Sequence, residues 1–171
     1  MTWNDYFLTL FDSCCASYQR GTREERAFYT GEDLAFLATI GYQPREFLDF
    51  VEDFCDEAIP TPSTALLVAA VRRDYFLTVQ KGVTSSHLLT RDDLPSFGQV
   101  LEGIAYLPRI LAKARAKLRG ELDPDIMFGC GGDRNFLRKH GTIPPADFLR
   151  HVWAVGDNDA KLVTWLNAQA T

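Results

Sequence analysis

The chain lacks the sequence devices that name a reaction on sight. No run approaches the roughly 20 apolar residues that a membrane span needs, and the opening stretch MTWNDYFLTLF carries acid where a secretory signal needs base. Both lead us to expect a cytoplasmic protein with no membrane partner. The four cysteines, Cys14, Cys15, Cys55 and Cys130, show no Cys-x-x-Cys spacing, which argues against zinc and against a disulfide framework and for reduced thiols. His87, His140 and His151 lack metal-ligand spacing, so no metal is expected. Gly129 to Gly132 fits neither the dinucleotide fingerprint nor the phosphate loop with its lysine, and no G-x-S-x-G elbow occurs. No cofactor is expected on these grounds. Asp157-Asn158-Asp159 wants the central glycine and distal glutamate of a calcium loop and reads better as a helix cap. A net charge of -5 with a pI near 5.2 is the wrong sign for general nucleic-acid binding, which needs clustered Lys and Arg.

Strand-like alternation is missing as well, whereas helical periodicity runs nearly throughout. Phe7, Leu10, Phe11 and Cys14 recur at helical spacing from Trp3 to Tyr18, and Arg20-Gly21 supplies a basic last turn and a stop. Helical patterns follow at Asp33 to Ile40, Pro44 to Cys55 and Pro62 to Gln80, the last opened by a Thr61 cap with proline at the first helical position. Lys81 to Val100 reads as a connector. Beyond it come helices near Ile104 to Arg119, Arg134 to His140, Pro145 to Val155 and Ala160 to Ala168. The expected fold class is all-α. Its 171 residues allow one good core, so we expect a single globular domain over 1-171, with halves at about 3-80 and 103-168.

Those halves resemble each other. Phe28, Gly31, Asp33, Phe36, Leu37 and Gly41 recur one hundred positions later as Phe128, Gly131, Asp133, Phe136, Leu137 and Gly141. After one inserted residue, Pro44, Phe47, Leu48 and Val51 recur as Pro145, Phe148, Leu149 and Val152, and Arg20-Gly21 is echoed by Arg119-Gly120. Each half reads as four helices, and we take the pattern as a tandem duplication, pseudo-twofold related. The alternative is that two helix-turn-helix segments share Phe, Leu, Gly and Pro by chance. Charge is uneven between them. Residues 1-60 hold 4 basic and 12 acidic side chains, and residues 61-171 hold 14 and 11, so an acidic half can dock on a less acidic one within the chain or across a homodimer.

The stretch FGCGGDRNFL, Phe128 to Leu137, is the most unusual. Asp33 and Asp133 stand at the starts of corresponding helices, where a carboxylate accepts backbone N-H bonds and favours the helix dipole, so both are expected to cap. Cys130 replaces Thr30 of the first half. It is either incidental or, beside a helix N-terminus, a thiol of lowered pKa. Arg73 follows the apolar run Ala65 to Val71 and projects near Leu66, Ala70 and Leu77, which is expected to point it into packed protein. There it needs an internal acid or a bound carboxylate or phosphate. In LPRILAKARAKLRG the residues Leu107, Ile110, Leu111, Ala114 and Leu118 share one arc. Arg109, Lys113 and Lys117 flank it on one side and Arg115 and Arg119 on the other. The readings are a solvated helix, an ionic partner to the acidic half, or a seat for an external anion.

Leu107-Pro108-Arg109, Lys113-Ala114-Arg115-Ala116, Gly120, Gly129-Cys130, Asp133, Phe148, Asp159 and Trp165 together resemble a bacterial family known as domain of unknown function 5069. The resemblance covers about the last 65 residues, and TALLVAAVRRDYFLTVQ looks like the longer members. It implies a soluble bacterial protein and brings no activity, substrate or cofactor. Our expectation is a non-catalytic module that binds a small anionic metabolite or a protein partner through Arg73, Arg109, Lys113 and Arg115. The alternative is a small enzyme that uses Cys130 as a thiolate while Arg109 and Lys113 hold an anionic substrate.

Overall fold

The computed structural model describes residues 1-169. The chain divides into two compact units, Met1-Thr84 and Ser85-Thr171, the division falling in the expected connector. Both are helical. Among the described residues the sole paired strands are β1 (Val100-Leu101) and β2 (Ile104-Ala105), a two-residue ladder, so the all-α class holds. No helix among them is long and apolar enough to cross a membrane.

The N-terminal unit is α1 (Trp3-Gln19), α2 (Gly31-Thr39), α3 (Pro44-Glu57) and α4 (Pro62-Thr78). Thr2 opens α1 in a capping box with Asp5, the hydroxyl receiving the Asp5 N-H and the carboxylate receiving the Thr2 N-H. The apolar stripe of α1, Phe7, Leu10, Phe11 and Cys14, is buried. Phe47 of α3 meets it, with ring centroids 4.9 Å from Phe7 and 5.8 Å from Phe11, the edge-on geometry aromatic quadrupoles favour. Burial pushes the Cys14 and Cys15 thiols up to about 12, so both stay neutral and act as small apolar side chains.

In α4 the wholly buried arginine is Arg72, not Arg73. The seam runs Ala65, Val68, Ala69, Arg72, Phe76, and the unbroken apolar run from Ala65 to Val71 conceals that period. The Arg72 guanidinium donates to Gln80 Oε1 at 2.7 Å and lies 5.2 Å over the Phe76 ring. Arg73 sits on the flank with its side chain 29% exposed, 3.4 Å from Asp74 Oδ1 and 5.1 Å over Trp3.

The C-terminal unit begins with a long segment holding a 3-10 turn at Arg91-Asp93 and the β1-β2 hairpin. It continues with α5 (Leu107-Arg119), α6 (Gly131-Lys139), α7 (Pro145-Val155) and α8 (Asp159-Gln169). Ile104, expected in a helix, belongs to the hairpin, and α5 starts at Leu107 with a proline in its first turn. Leu107, Ile110, Leu111, Ala114 and Leu118 of α5 are buried with Phe148, Leu149 and Val152 of α7 and Leu162 and Leu166 of α8.

Several details recur at a spacing of one hundred residues. Phe7, Leu10, Phe11 and Cys14 correspond to Leu107, Ile110, Leu111 and Ala114, all buried. Gly41 and Gly141 close the short helices α2 and α6 with φ of +66° and +106°, the left-handed region that favours glycine. Each is pressed by the last helix of its unit. A Cβ on Gly41 would fall 2.5 Å from Phe76 Cγ of α4, and one on Gly141 would fall 2.3 Å from the Gln169 carbonyl oxygen of α8. Gly41→Ala is therefore expected to destabilise the chain by about 1-3 kcal/mol, through overpacking and φ strain together. Urea unfolding followed by circular dichroism measures it, and an unchanged midpoint would show that α4 is not seated against that turn.

Candidate functional site

The site grows from the start of α6. Helix α2 shows the ordinary arrangement, in which Thr30 is the N-cap and its hydroxyl accepts the Asp33 N-H at 3.2 Å. Asp33 Oδ2 takes the Thr30 N-H at 2.8 Å and the Thr30 hydroxyl at 2.7 Å, while Oδ1 takes the Tyr6 hydroxyl at 3.0 Å. Burial alone would raise the Asp33 carboxyl. The Thr30 and Tyr6 hydrogen bonds outweigh it and hold the group below the usual carboxylate range.

Helix α6 keeps this plan and changes its donors. Cys130 is the N-cap and makes no side-chain cap hydrogen bond. Asp133 is wholly buried. Its Oδ1 accepts from the Tyr106 hydroxyl at 2.8 Å, as Asp33 does from Tyr6, and its Oδ2 accepts from the Gly129 N-H at 2.8 Å and from Lys113 Nζ at 2.6 Å. The ammonium of Lys113, only 4% exposed, has taken the place of the threonine hydroxyl. It also donates to Cys130 Sγ at 3.3 Å. Both aspartates thus receive a backbone N-H, but from the third helical position. The helices start at Gly31 and Gly131, two and three residues before the starts expected at Asp33 and Arg134.

The glycines of the stretch have separate causes. Gly129 holds φ +90°, turning its N-H onto Asp133. A Cβ on Gly132 would stand 2.9 Å from the Tyr106 hydroxyl and 3.8 Å from Cys130 Sγ, so a bare backbone lets the phenol reach the carboxylate. Tyr106 has φ +71°, a conformation rare for a bulky side chain outside functional sites. Burial and the neighbouring Asp133 raise its hydroxyl well above the normal tyrosine range, so it serves as a neutral donor.

Cys130 and Lys113 face a cleft of about 280 Å³, lined also by Arg91, Leu94, Phe97, Arg109, Asp125, Ile126 and Met127. Arg91 is carried by the 3-10 turn, which Thr90 opens by donating its N-H and hydroxyl to Asp93 Oδ2 at 2.9 and 2.7 Å. Arg109 lies 4.1 Å over the Phe97 ring and donates Nη1 to the Pro95 carbonyl at 2.8 Å, which fixes its guanidinium at the rim. The cleft holds three cations and one carboxylate, and the Lys113 charge is met behind the wall by Asp133. Arg91 and Arg109 remain against Asp125, which leaves one net positive charge among these three side chains.

Of the residues expected to bind a ligand, Arg109 and Lys113 line this cleft together with Cys130. Arg115 does not. It donates to the Gly156 carbonyl at 3.0 Å and to Asp159 Oδ1 at 2.5 Å, tying α5 to the start of α8. Arg73, in the N-terminal unit, is not among the lining residues. Helix α5 is no solvated basic helix, for Lys113 and Lys117 are buried, and Lys113, Arg115 and Arg119 each meet an acid of their own unit. Sequence reasoning missed Arg91 and Phe97, which lie in the connector. It also missed Tyr106, although Tyr6 stands one hundred positions before it. No group of three or more His, Cys, Asp or Glu among the described residues is placed to hold a metal.

Residues 91-171 match the model of a family described as a domain of unknown function (DUF5069). No curated protein and no solved structure matches the chain.

The difference between the two aspartates is measurable. Asp133→Asn strands a buried ammonium and is expected to cost about 3-5 kcal/mol, whereas Asp33→Asn alters a cap whose donors are all uncharged and is expected to cost about 1 kcal/mol. Adding Lys113→Met to Asp133→Asn should recover part of the loss. Equal costs for the two single variants in denaturant melts would contradict the geometry.

Proposed function

We propose that the C-terminal unit, whose residues 91-171 match the DUF5069 family model, binds a small anionic metabolite in the cleft before α6 and is a binding domain. One observation carries the reading: Arg91 from a turn, Arg109 and Lys113 from α5, and Cys130, the N-cap residue of α6, all line one cavity. Fixed cations and the positive end of a helix dipole together favour a carboxylate or phosphate. A volume near 280 Å³ lies at the small end of ligand pockets, which span roughly 300-1,000 Å³, and suits a metabolite better than a protein segment. The Leu94, Phe97, Ile126 and Met127 side chains would cover an apolar portion of the ligand.

At a hundredfold excess over Kd such a ligand stabilises the fold by about 2.7 kcal/mol, or about 5-10 °C in Tm for a domain of this length. A thermal-shift panel of carboxylates and phosphates at fixed ionic strength should find a hit that Arg109→Gln abolishes and Arg73→Gln retains. Shifts that follow ionic strength and ignore anion identity, or none at all, would refute the reading.

The duplication is part of the same proposal. What supports it is the paired Tyr6-Asp33 and Tyr106-Asp133 hydrogen bonds, the two pressed glycines and the matching helix order. At the hundred-residue offset Thr9, Ser13 and Thr30 stand where Arg109, Lys113 and Cys130 stand. The first copy thus lacks the cations and the thiol, and ligand binding is assigned to the second.

A second reading, an enzyme using Cys130 as a thiolate with Arg109 and Lys113 holding an anionic substrate, is favoured by the Lys113 Nζ to Cys130 Sγ distance of 3.3 Å. It requires that Cys130 alkylates with iodoacetamide well below the unperturbed thiol pKa of roughly 8.5. A labelling rate no greater than that of Cys55 across pH 6 to 9 would remove it.

A further inference from the structure

Building on the anion-binding reading, we infer that Cys130 is a thiolation site, at which the cleft exchanges Cys130 with small disulfides that carry carboxylates. Two requirements of thiol-disulfide exchange meet here. A thiolate must be held without being buried, and Cys130 is half-buried on the cleft wall with a nearly inaccessible ammonium donating to its sulfur. Because Lys113 is anchored by Asp133 at 2.6 Å, its charge cannot swing away to solvent as a surface lysine would. The partner disulfide must then be brought in, and Arg91 and Arg109 are the groups in the cleft able to hold its carboxylate.

Thr30, the residue at this position of the first unit, spends its side chain on the helix cap, whereas Cys130 caps nothing and its sulfur is left to the cleft. The step balances without any further reagent. The Cys130 thiol loses its proton to solvent, and the sulfur attacks one sulfur of the disulfide. A new Sγ-S bond forms as the old S-S bond breaks, and the departing thiolate carries away the electron pair and is protonated by water. The disulfide is the two-electron oxidant, and a free thiol reverses the reaction. Lys113 gives up no proton in this step, and its Nζ donates to the attacking sulfur.

The test compares 3,3′-dithiodipropionate, which is anionic, with cystamine, which is cationic, at equal ionic strength. Each rate is divided by that of N-acetylcysteine amide so that leaving-group differences cancel, and adducts are located by peptide mass spectrometry. Cys130 is expected to favour the anionic disulfide at least about tenfold on this scale. Arg109→Gln and Arg91→Gln should each cut that preference, and Cys130→Ser should carry no adduct on that peptide. A preference near unity, or adducts on Cys55 with Cys130 unmodified, overturns the inference. If a carboxylate still raises Tm and Arg109→Gln abolishes the shift, the binding reading survives that result. If neither effect is seen, both fall.

Discussion

Burying an ammonium and a carboxylate strips both of water, and their attraction repays that cost only when the remaining lone pairs find partners. In the C-terminal unit the Lys113-Asp133 pair meets this condition because Tyr106 and the Gly129 N-H supply two further donors to the same carboxylate. Each of those donors imposes its own demand on the chain. The Tyr106 hydroxyl reaches Asp133 only across a glycine at position 132, and the Gly129 N-H points inward only with a positive φ. Lys113 must leave α5 on the side of the α6 terminus. The sequence from Gly129 to Asp133, with the Tyr106 backbone strained ahead of α5, is therefore one constraint written in several residues.

That constraint also sets the cleft. Lys113 is held from behind the wall by Asp133 and from the side by Cys130 Sγ, so its position at the cleft is fixed. Arg109 is held differently, by a ring face and a carbonyl oxygen, neither of which cancels its charge. Arg91 donates to the Asp125 carbonyl at 3.3 Å and likewise keeps its charge. Lys113 thus fixes the geometry of the thiol, while the two arginines supply the field.

Much of the fold was legible because its punctuation is chemical. Prolines at 44, 62 and 145 fix helix starts to the residue, since a first-turn proline lacks the N-H that would be orphaned there. Helices α2 and α6 start two and three residues before the sequence pattern suggests, because an aspartate at the third helical position looks, in sequence, like an N-cap. In α4 the buried arginine lies one residue before the one the pattern points to. Seven consecutive apolar side chains carry no phase, and Phe76 and Gln80, which select Arg72, lie beyond them. Arg109, Lys113, Cys130 and Asp133 could be named as notable, but their joining could not be foreseen, since Lys113-Asp133 closes over twenty residues. Arg91 and Phe97 had no signal, for a connector has no period against which a functional side chain stands out.

The starts of α2 and α6 satisfy their aspartates in two different ways. Asp33 and Asp133 each receive three donors, and two of these have counterparts in both units, a tyrosine from the preceding long helix or its N-cap and a backbone N-H. The third differs. In the first unit it is the Thr30 hydroxyl, from within the same turn, so the cap remains local. A cysteine in that place donates poorly, and the missing donor comes instead from Lys113 of α5, where α1 has Ser13. Where α2 has a local cap made with uncharged donors, α6 has an ionic tertiary contact that joins its start to α5. The Cys130 side chain makes no cap and lies against the Lys113 ammonium. A serine at 113 would leave Asp133 one donor short, and a threonine at 130 would compete with Lys113 for Asp133. Lysine and cysteine are consistent only together, and their pairing places a thiol and a fixed cation at one wall of the cleft.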